Sequence, residues 1–161
     1  MIRPAQLRDL VIRPTLQIVA PSARDEAVEL LLGTAAQESH AGDYIAQRRG
    51  PALGVWQMEP ATEKDIWTNY LAYHPDFRLA ISRFIVPGLD REGQMAGNLY
   101  YACGMAWLTY ERHRDKHPIP AAGDLERQAE IYLAVYNAGG KATKAEYLAN
   151  WHNLQELLAQ G

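Results

Sequence analysis

The segment SARDEAVELLLGTAAQES, Ser22–Ser39, carries the spacing of a core helix. Ser22 stands three residues ahead of Asp25, the pattern of an N-cap with an acidic first turn. Behind it, Ala27, Leu30, Leu31, Thr34 and Ala35 recur at helical intervals as one apolar stripe running toward Glu38. Gly42 then supplies the C-terminal stop. A carboxyl group in the last turn of such a helix sits at the negative end of the macrodipole and beside buried surface. Both effects disfavour its charged form. A glutamic acid kept protonated near neutral pH is what proton donation to a leaving-group oxygen requires. Most glutamates are nevertheless solvated, so the significance of Glu38 depends on what the fold brings beside it.

The same period recurs on both sides of this helix. Pro4–Val19 is helical in pattern, with a break or kink expected near Pro14. Pro60 opens a helix to about Tyr73, and Pro75 opens another to about Ile85, closed by Pro87-Gly88. Met95, Leu99, Ala102, Cys103, Ala106 and Tyr110 mark one face of a long helix ending before Pro118. Asp124 caps an apolar helix through Tyr136 that Gly139-Gly140 stops, and Lys141–Gln160 forms the last helix. Between Asp43 and Met58 the helical pattern fails. Gly50-Pro51 is turn chemistry flanked by short β-prone pieces. The expected fold is mainly α, with one small β or irregular insert near residues 43–58.

Length and charge agree with one soluble domain. The chain has 161 residues, 48% hydrophobic and 22% charged, an ordinary globular balance at roughly 100–200 residues per domain. No repeat or linker divides it, so residues 1–161 are expected to form a single unit. The net charge is −3, without the basic excess of a nucleic-acid-binding domain. The single Cys103 excludes an internal disulfide and a thiolate metal cage. No apolar run approaches the roughly 20 residues of a membrane span. His113 and His117 have helical i,i+4 spacing but no third ligand accompanies them, and Ser39-His40 are adjacent, so they do not face each other as a nucleophile and base. Neither a metal nor a cofactor is expected.

Two further segments carry chemistry beside Gln37-Glu38-Ser39. In Gly54-Val55-Trp56-Gln57-Met58 the glycine permits a close backbone approach, and the Gln57 amide both donates and accepts. That pairing suits sugar hydroxyl and acetamido groups, with Trp56 as an apolar platform; the competing role for Trp56 is core packing. In Ala134-Val135-Tyr136-Asn137-Ala138-Gly139, a tyrosine in the last helical turn is able to direct its hydroxyl toward a neighbouring carboxyl group. Asn137 and Gly139 form the helix stop that fixes its direction; the competing role for Tyr136 is a buried ring.

Taken in order, Glu38-Ser39, then Gly54-Val55-Trp56-Gln57 sixteen positions on, then Ala134-Val135-Tyr136-Asn137-Ala138-Gly139, resemble the Glu-Ser, Gly-Leu-Met-Gln and Ala-Tyr-Asn-Ala-Gly motifs of the lytic transglycosylase (SLT) domain family. Met58-Glu59-Pro60-Ala61-Thr62 is similar to its Met-Pro-Ala-Thr helix start. The resemblance covers about residues 22–150. Departures are Val55-Trp56 for Leu-Met, the extra Glu59, Val135 between Ala134 and Tyr136, and Arg48-Arg49-Gly50-Pro51 where the family is rich in serine and glycine.

The resemblance implies a lysozyme-like α fold that cleaves the β-1,4 bond between N-acetylmuramic acid and N-acetylglucosamine in peptidoglycan strands. Glu38 is then general acid on the glycosidic oxygen, and afterwards general base on the muramic C6 hydroxyl, leaving a 1,6-anhydro end. Ser39, Gln57, Tyr136, Asn137 and Trp56 are the expected substrate-binding residues. Hydrolysis as in a lysozyme is the alternative, and it needs a second carboxylate, roughly 5–5.5 Å from the acid for retention or ~6.5–9.5 Å for inversion. Asp43 and Glu59 are the candidates. A third possibility of another class is a catalytically silent glycan-binding domain or virion or secretion-apparatus component. Met1–Leu10, interrupted by Pro4 and Asp9, does not read as a signal peptide. The expectation is synthesis in a bacterial cytoplasm and action at the wall, with a phage or secretion assembly as carrier.

Overall fold

In the computed structural model, which describes residues 1–160, the regular elements are all helices, joined by loops of which the longest is the insert. Pro4–Gln6, Leu7–Ile12 and Arg13–Val19 run on as one helix, α1. Pro14 does not break it. The stretch before the proline widens to π geometry, with the Arg13 amide reaching back to the Arg8 carbonyl. Proline lacks the N–H that would bond the Leu10 carbonyl, and the Tyr100 hydroxyl donates to that oxygen instead, at 3.1 Å.

The helix that carries Glu38, α2, is Asp25–Ser39. Its cap is not Ser22: Arg24 occupies the N-cap without a side-chain bond, and Asp25 pairs with Arg13 at 3.1 Å. Then come α3 (Pro60–Asn69) with a 3₁₀ turn at Leu71–Tyr73, and α4 (Pro75–Ser82). The long helix expected from Met95 onward is two helices, α5 (Arg91–Gly97) and α6 (Leu99–Glu111). Asn98 divides them. Its backbone is extended, its Oδ1 caps the Tyr101 amide, and its Nδ2 donates to the Phe84 carbonyl at 2.6 Å. The next helix, α7 (Leu125–Ile131), is capped by Asp124 as expected and continues as a π turn, Tyr132–Tyr136. The last, α8 (Lys144–Ala159), starts at a Thr143–Glu146 capping box, three residues later than its pattern suggests.

The architecture is therefore mainly α, and the insert forms no sheet among the described residues. Its only extended pairing is two isolated antiparallel bridges, Ala46–Leu53 and Leu53–Met58. Helix α6 is the axis. Nearly every side chain from Tyr101 to Tyr110 is buried, and it packs against α1, α2, α3, α4, α5 and the π turn. Gly104 lets α4 approach so closely that an added Cβ would collide with Ile81. On the far side, α2 and α7 both lie against α8. Burial of each large apolar side chain in such a core contributes about 1.5–3 kcal/mol. This frame brings the end of α2, the insert and the end of α7 together from distant parts of the chain. No helix among the described residues is long and apolar enough to cross a membrane.

Candidate functional site

Glu38 lies half-buried in the last turn of α2, at the floor of a cleft of about 480 Å³. The insert lines one side with Tyr44, Gln47, Ala52 and Gln57; Glu59 and Thr62 enter from α3, Thr109 from α6, and Tyr136 and Asn137 from the end of α7. Burial pushes the Glu38 carboxyl up to about 7. One hydrogen bond opposes that shift, donated to Oε1 by the Tyr132 hydroxyl at 2.7 Å. Burial and the adjacent Glu38 hold the Tyr132 phenol far above its ordinary range, so it remains a donor.

The hydroxyl beside the acid thus belongs to Tyr132 rather than to Tyr136. Tyr136 donates to the Trp56 carbonyl at 2.7 Å, and so ties the end of α7 to the insert. The π turn sets this division: the Asn137 amide reaches five residues back to the Tyr132 carbonyl. The rings form a stack in which Tyr132 packs on Tyr147 with centroids 5.1 Å apart and on Tyr136 at 6.2 Å, and Tyr136 packs on Tyr110 at 5.5 Å. The Thr34 hydroxyl donates to the Leu30 carbonyl, so the 2.7 Å contact between Tyr110 and Thr34 runs from the tyrosine. Tyr132 was legible only as one more apolar-face residue; its place one turn before Tyr136, on the same helix face, is the signal that could have marked it.

Ser39 and Trp56 serve the frame and not the cleft. Ser39 is fully buried, donates to the Val55 carbonyl at 2.6 Å and accepts from the Gly42 amide at 2.8 Å. Trp56 is buried, and its indole N–H donates to the Leu31 carbonyl at 2.9 Å. Neither is exposed to bind substrate. Gln57 does line the cleft, with its Nε2 fixed on the Gly54 carbonyl at 2.7 Å. Its φ is +45°, a left-handed conformation that costs a non-glycine residue on the order of 1–3 kcal/mol and concentrates at functional sites. His40 and Ala41, directly after the acid's helix, share that strain at φ +49° and +56°. Asn137 faces the cleft and accepts from the Ala142 amide at 3.3 Å.

The two candidate second carboxylates part company. Asp43 points away, with Oδ1 2.8 Å from the Met1 amino nitrogen, and that hydrogen bond holds its carboxyl below the usual range. Glu59 is exposed and lines the same cleft as Glu38. Among the cleft residues the sequence did not single out is Tyr44, which donates its hydroxyl to the Glu38 carbonyl at 2.7 Å. Thr62, Thr109 and Gln47 add hydroxyl and amide groups. No cluster of three or more His, Cys, Asp or Glu able to hold a metal occurs among the described residues. The arrangement is equipped for proton transfer at the Glu38 carboxyl group, beside amide and hydroxyl groups and with the exposed Glu59 in the same cleft. Comparison with protein-family models, curated proteins and solved structures returns no match for this chain.

Proposed function

We propose that the chain is a peptidoglycan lytic transglycosylase, with Glu38 as its single acid and base. The observation that carries this is the Glu38 carboxyl group, pushed to about 7 in a cleft whose lining includes the amides of Gln47, Gln57 and Asn137 and the hydroxyls of Thr62 and Thr109, with Glu59 as its only other carboxyl group. A carboxyl group poised there is half protonated at neutral pH, the condition under which one group both donates and accepts a proton efficiently. Gln57, Asn137, Thr62 and Thr109 suit a neutral, polyhydroxylated ligand such as a glycan strand.

In this mechanism Glu38 protonates the oxygen leaving C1 of the muramic sugar, and the glycosidic bond breaks with the N-acetyl carbonyl supporting C1. The resulting carboxylate then takes the proton of the C6 hydroxyl as that oxygen bonds to C1. The anhydro ring closes, no water is consumed, and Glu38 regains its proton. Tyr132 keeps the carboxyl oxygen aimed throughout. Glycan strands of the cell wall are the partner, and delivery by a phage or secretion assembly belongs to the same proposal.

Hydrolysis is the second reading, favoured by one observation, the presence of Glu59 in the cleft; Asp43 has no part in it. Digestion of purified sacculi separates the two. The expected product is a muropeptide one water lighter than the hydrolytic one, and a reducing muramic end would establish the muramidase. Glu38→Gln should lower the rate of muropeptide release by about 10²–10⁴-fold. Equal release by variant and wild type would remove the enzymatic account and leave a glycan-binding or assembly role.

A further inference from the structure

A glycan cleft needs an apolar surface as well as hydrogen bonds, because one face of a pyranose presents C–H groups. The aromatic residues of the three motifs do not supply it: Trp56 is 1% exposed, and the Tyr136 ring is packed on Tyr110 and Tyr132 with its hydroxyl committed to Trp56. Tyr44 differs in exposure and in the freedom of its ring faces. It lines the cleft, is 43% exposed, and no aromatic ring stacks on it among the described residues.

The ring is also held in place. The last carbonyls of a helix lack intrahelical partners, and the Tyr44 hydroxyl takes that of Glu38 at 2.7 Å. Burial, followed by the charges of Glu38 and Asp43, raises the phenol above its ordinary value, which keeps this donor protonated. An exposed ring anchored at its far end has lost its rotamer freedom before any ligand arrives, and such preorganisation lowers the cost of binding. Its anchor is the backbone carbonyl of Glu38, which ties the ring to the helix end that carries the acid.

We propose that Tyr44 is the stacking platform of the cleft, receiving the C–H face of the sugar adjacent to the bond that Glu38 cleaves. The proposal rests on the glycan-cleaving reading above. The test is titration calorimetry of tri-N-acetylchitotriose against the wild type, Tyr44→Phe, Tyr44→Leu and Tyr44→Ala, with saturation-transfer NMR on the sugar C–H protons. The ring is exposed, so all four proteins should stay folded, the three variants sharing one melting temperature slightly below wild type because each loses the bond to the Glu38 carbonyl. Tyr44→Phe, which loses the anchor and keeps the ring, should bind within about threefold of wild type. Tyr44→Ala and Tyr44→Leu should bind about tenfold more weakly, as expected for the loss of an aromatic contact, and lose the saturation transfer. Wild-type affinity in Tyr44→Ala, or a loss in Tyr44→Phe as large as in Tyr44→Ala, overturns the platform while leaving the glycan cleft standing. A wild-type protein that binds no oligosaccharide overturns both.

Discussion

At Glu38 two environmental effects oppose each other: burial disfavours the carboxylate, and the Tyr132 hydroxyl favours it. Burial dominates, so under the proposed function kcat/KM for muropeptide release should fall on the alkaline side with a midpoint near pH 7. Removing the hydroxyl in Tyr132→Phe withdraws the only stabilisation of the charged form. The alkaline limb should then move to higher pH, and the low-pH rate should drop because the carboxyl oxygen is no longer held by that bond. A limb that stays put or moves down would show that Tyr132 does not bond the carboxylate in solution. The same shift has a consequence for stability. A carboxyl whose pKa is 4.5 unfolded and about 7 folded makes the native state bind more protons between those values, so stability falls as pH rises across that window. The contribution of neutral Glu38 is fully present below pH 4.5 and lost through pH 7. Glu38→Gln stays neutral throughout. Urea denaturation should therefore find the variant gaining on wild type from pH 4.5 to 7, by up to about 3 kcal/mol, with no further change above. Parallel stability curves would contradict a buried, protonated acid.

Two of the residues that pin the insert, Gly54 and Ser39, are open to single substitution. Gly54 sits at φ +79°, and an added Cβ would collide with the Met95 carbonyl on α5. Gly54→Ala combines left-handed strain with a backbone clash, and should cost at least about 2 kcal/mol, measurable by urea denaturation; a loss under 0.5 kcal/mol, roughly the scatter of surface changes, would mean the insert does not dock on α5. Ser39→Ala strands the buried Val55 carbonyl, worth about 1–3 kcal/mol, while the Gly42 amide keeps the Ser39 backbone carbonyl at 3.1 Å. Helices were legible before this level of detail because their signals are local: the apolar period of α2, the Asp124 cap and the proline starts of α3 and α4 each lie within a few residues of what they determine. The misplaced features depend on distant partners. Pro14 leaves α1 intact because α6 supplies the Tyr100 hydroxyl. Asn98 breaks a helix because Phe84 awaits its amide. Ser39 and Trp56, whose motif positions suggested substrate, turn inward because Val55 and Leu31 offer carbonyls. Glu38 and Gln57 were found as cleft residues, whereas Tyr132 was masked by a π turn whose widening leaves no mark in the local pattern.

Because the cleft is assembled from the end of α2, the insert, the start of α3 and the end of α7, its integrity belongs to the molecule as a whole. The residue best placed to report on this is Cys103, the only cysteine in the chain. It lies in α6, fully buried, and burial raises its thiol far above the ordinary value. A thiolate is the reactive form, so Cys103 reacts with an aromatic disulfide reagent only after the helices around α6 separate. Those neighbours include α2, which carries Glu38, and the π turn, which carries Tyr132. Opening that exposes the thiol therefore also separates the acid from its partner. Under cooperative unfolding, Cys103 labelling, helical circular dichroism and the muropeptide release proposed for Glu38 should share one urea midpoint. The native labelling rate should be slower than that of the unfolded chain by the unfolding equilibrium constant. Gly54→Ala and Ser39→Ala should shift all three midpoints together, since the insert is tied to α2 and α5 rather than hung on them. Activity lost at lower urea than labelling would instead identify the cleft as a separate, less stable unit resting on an intact helical core.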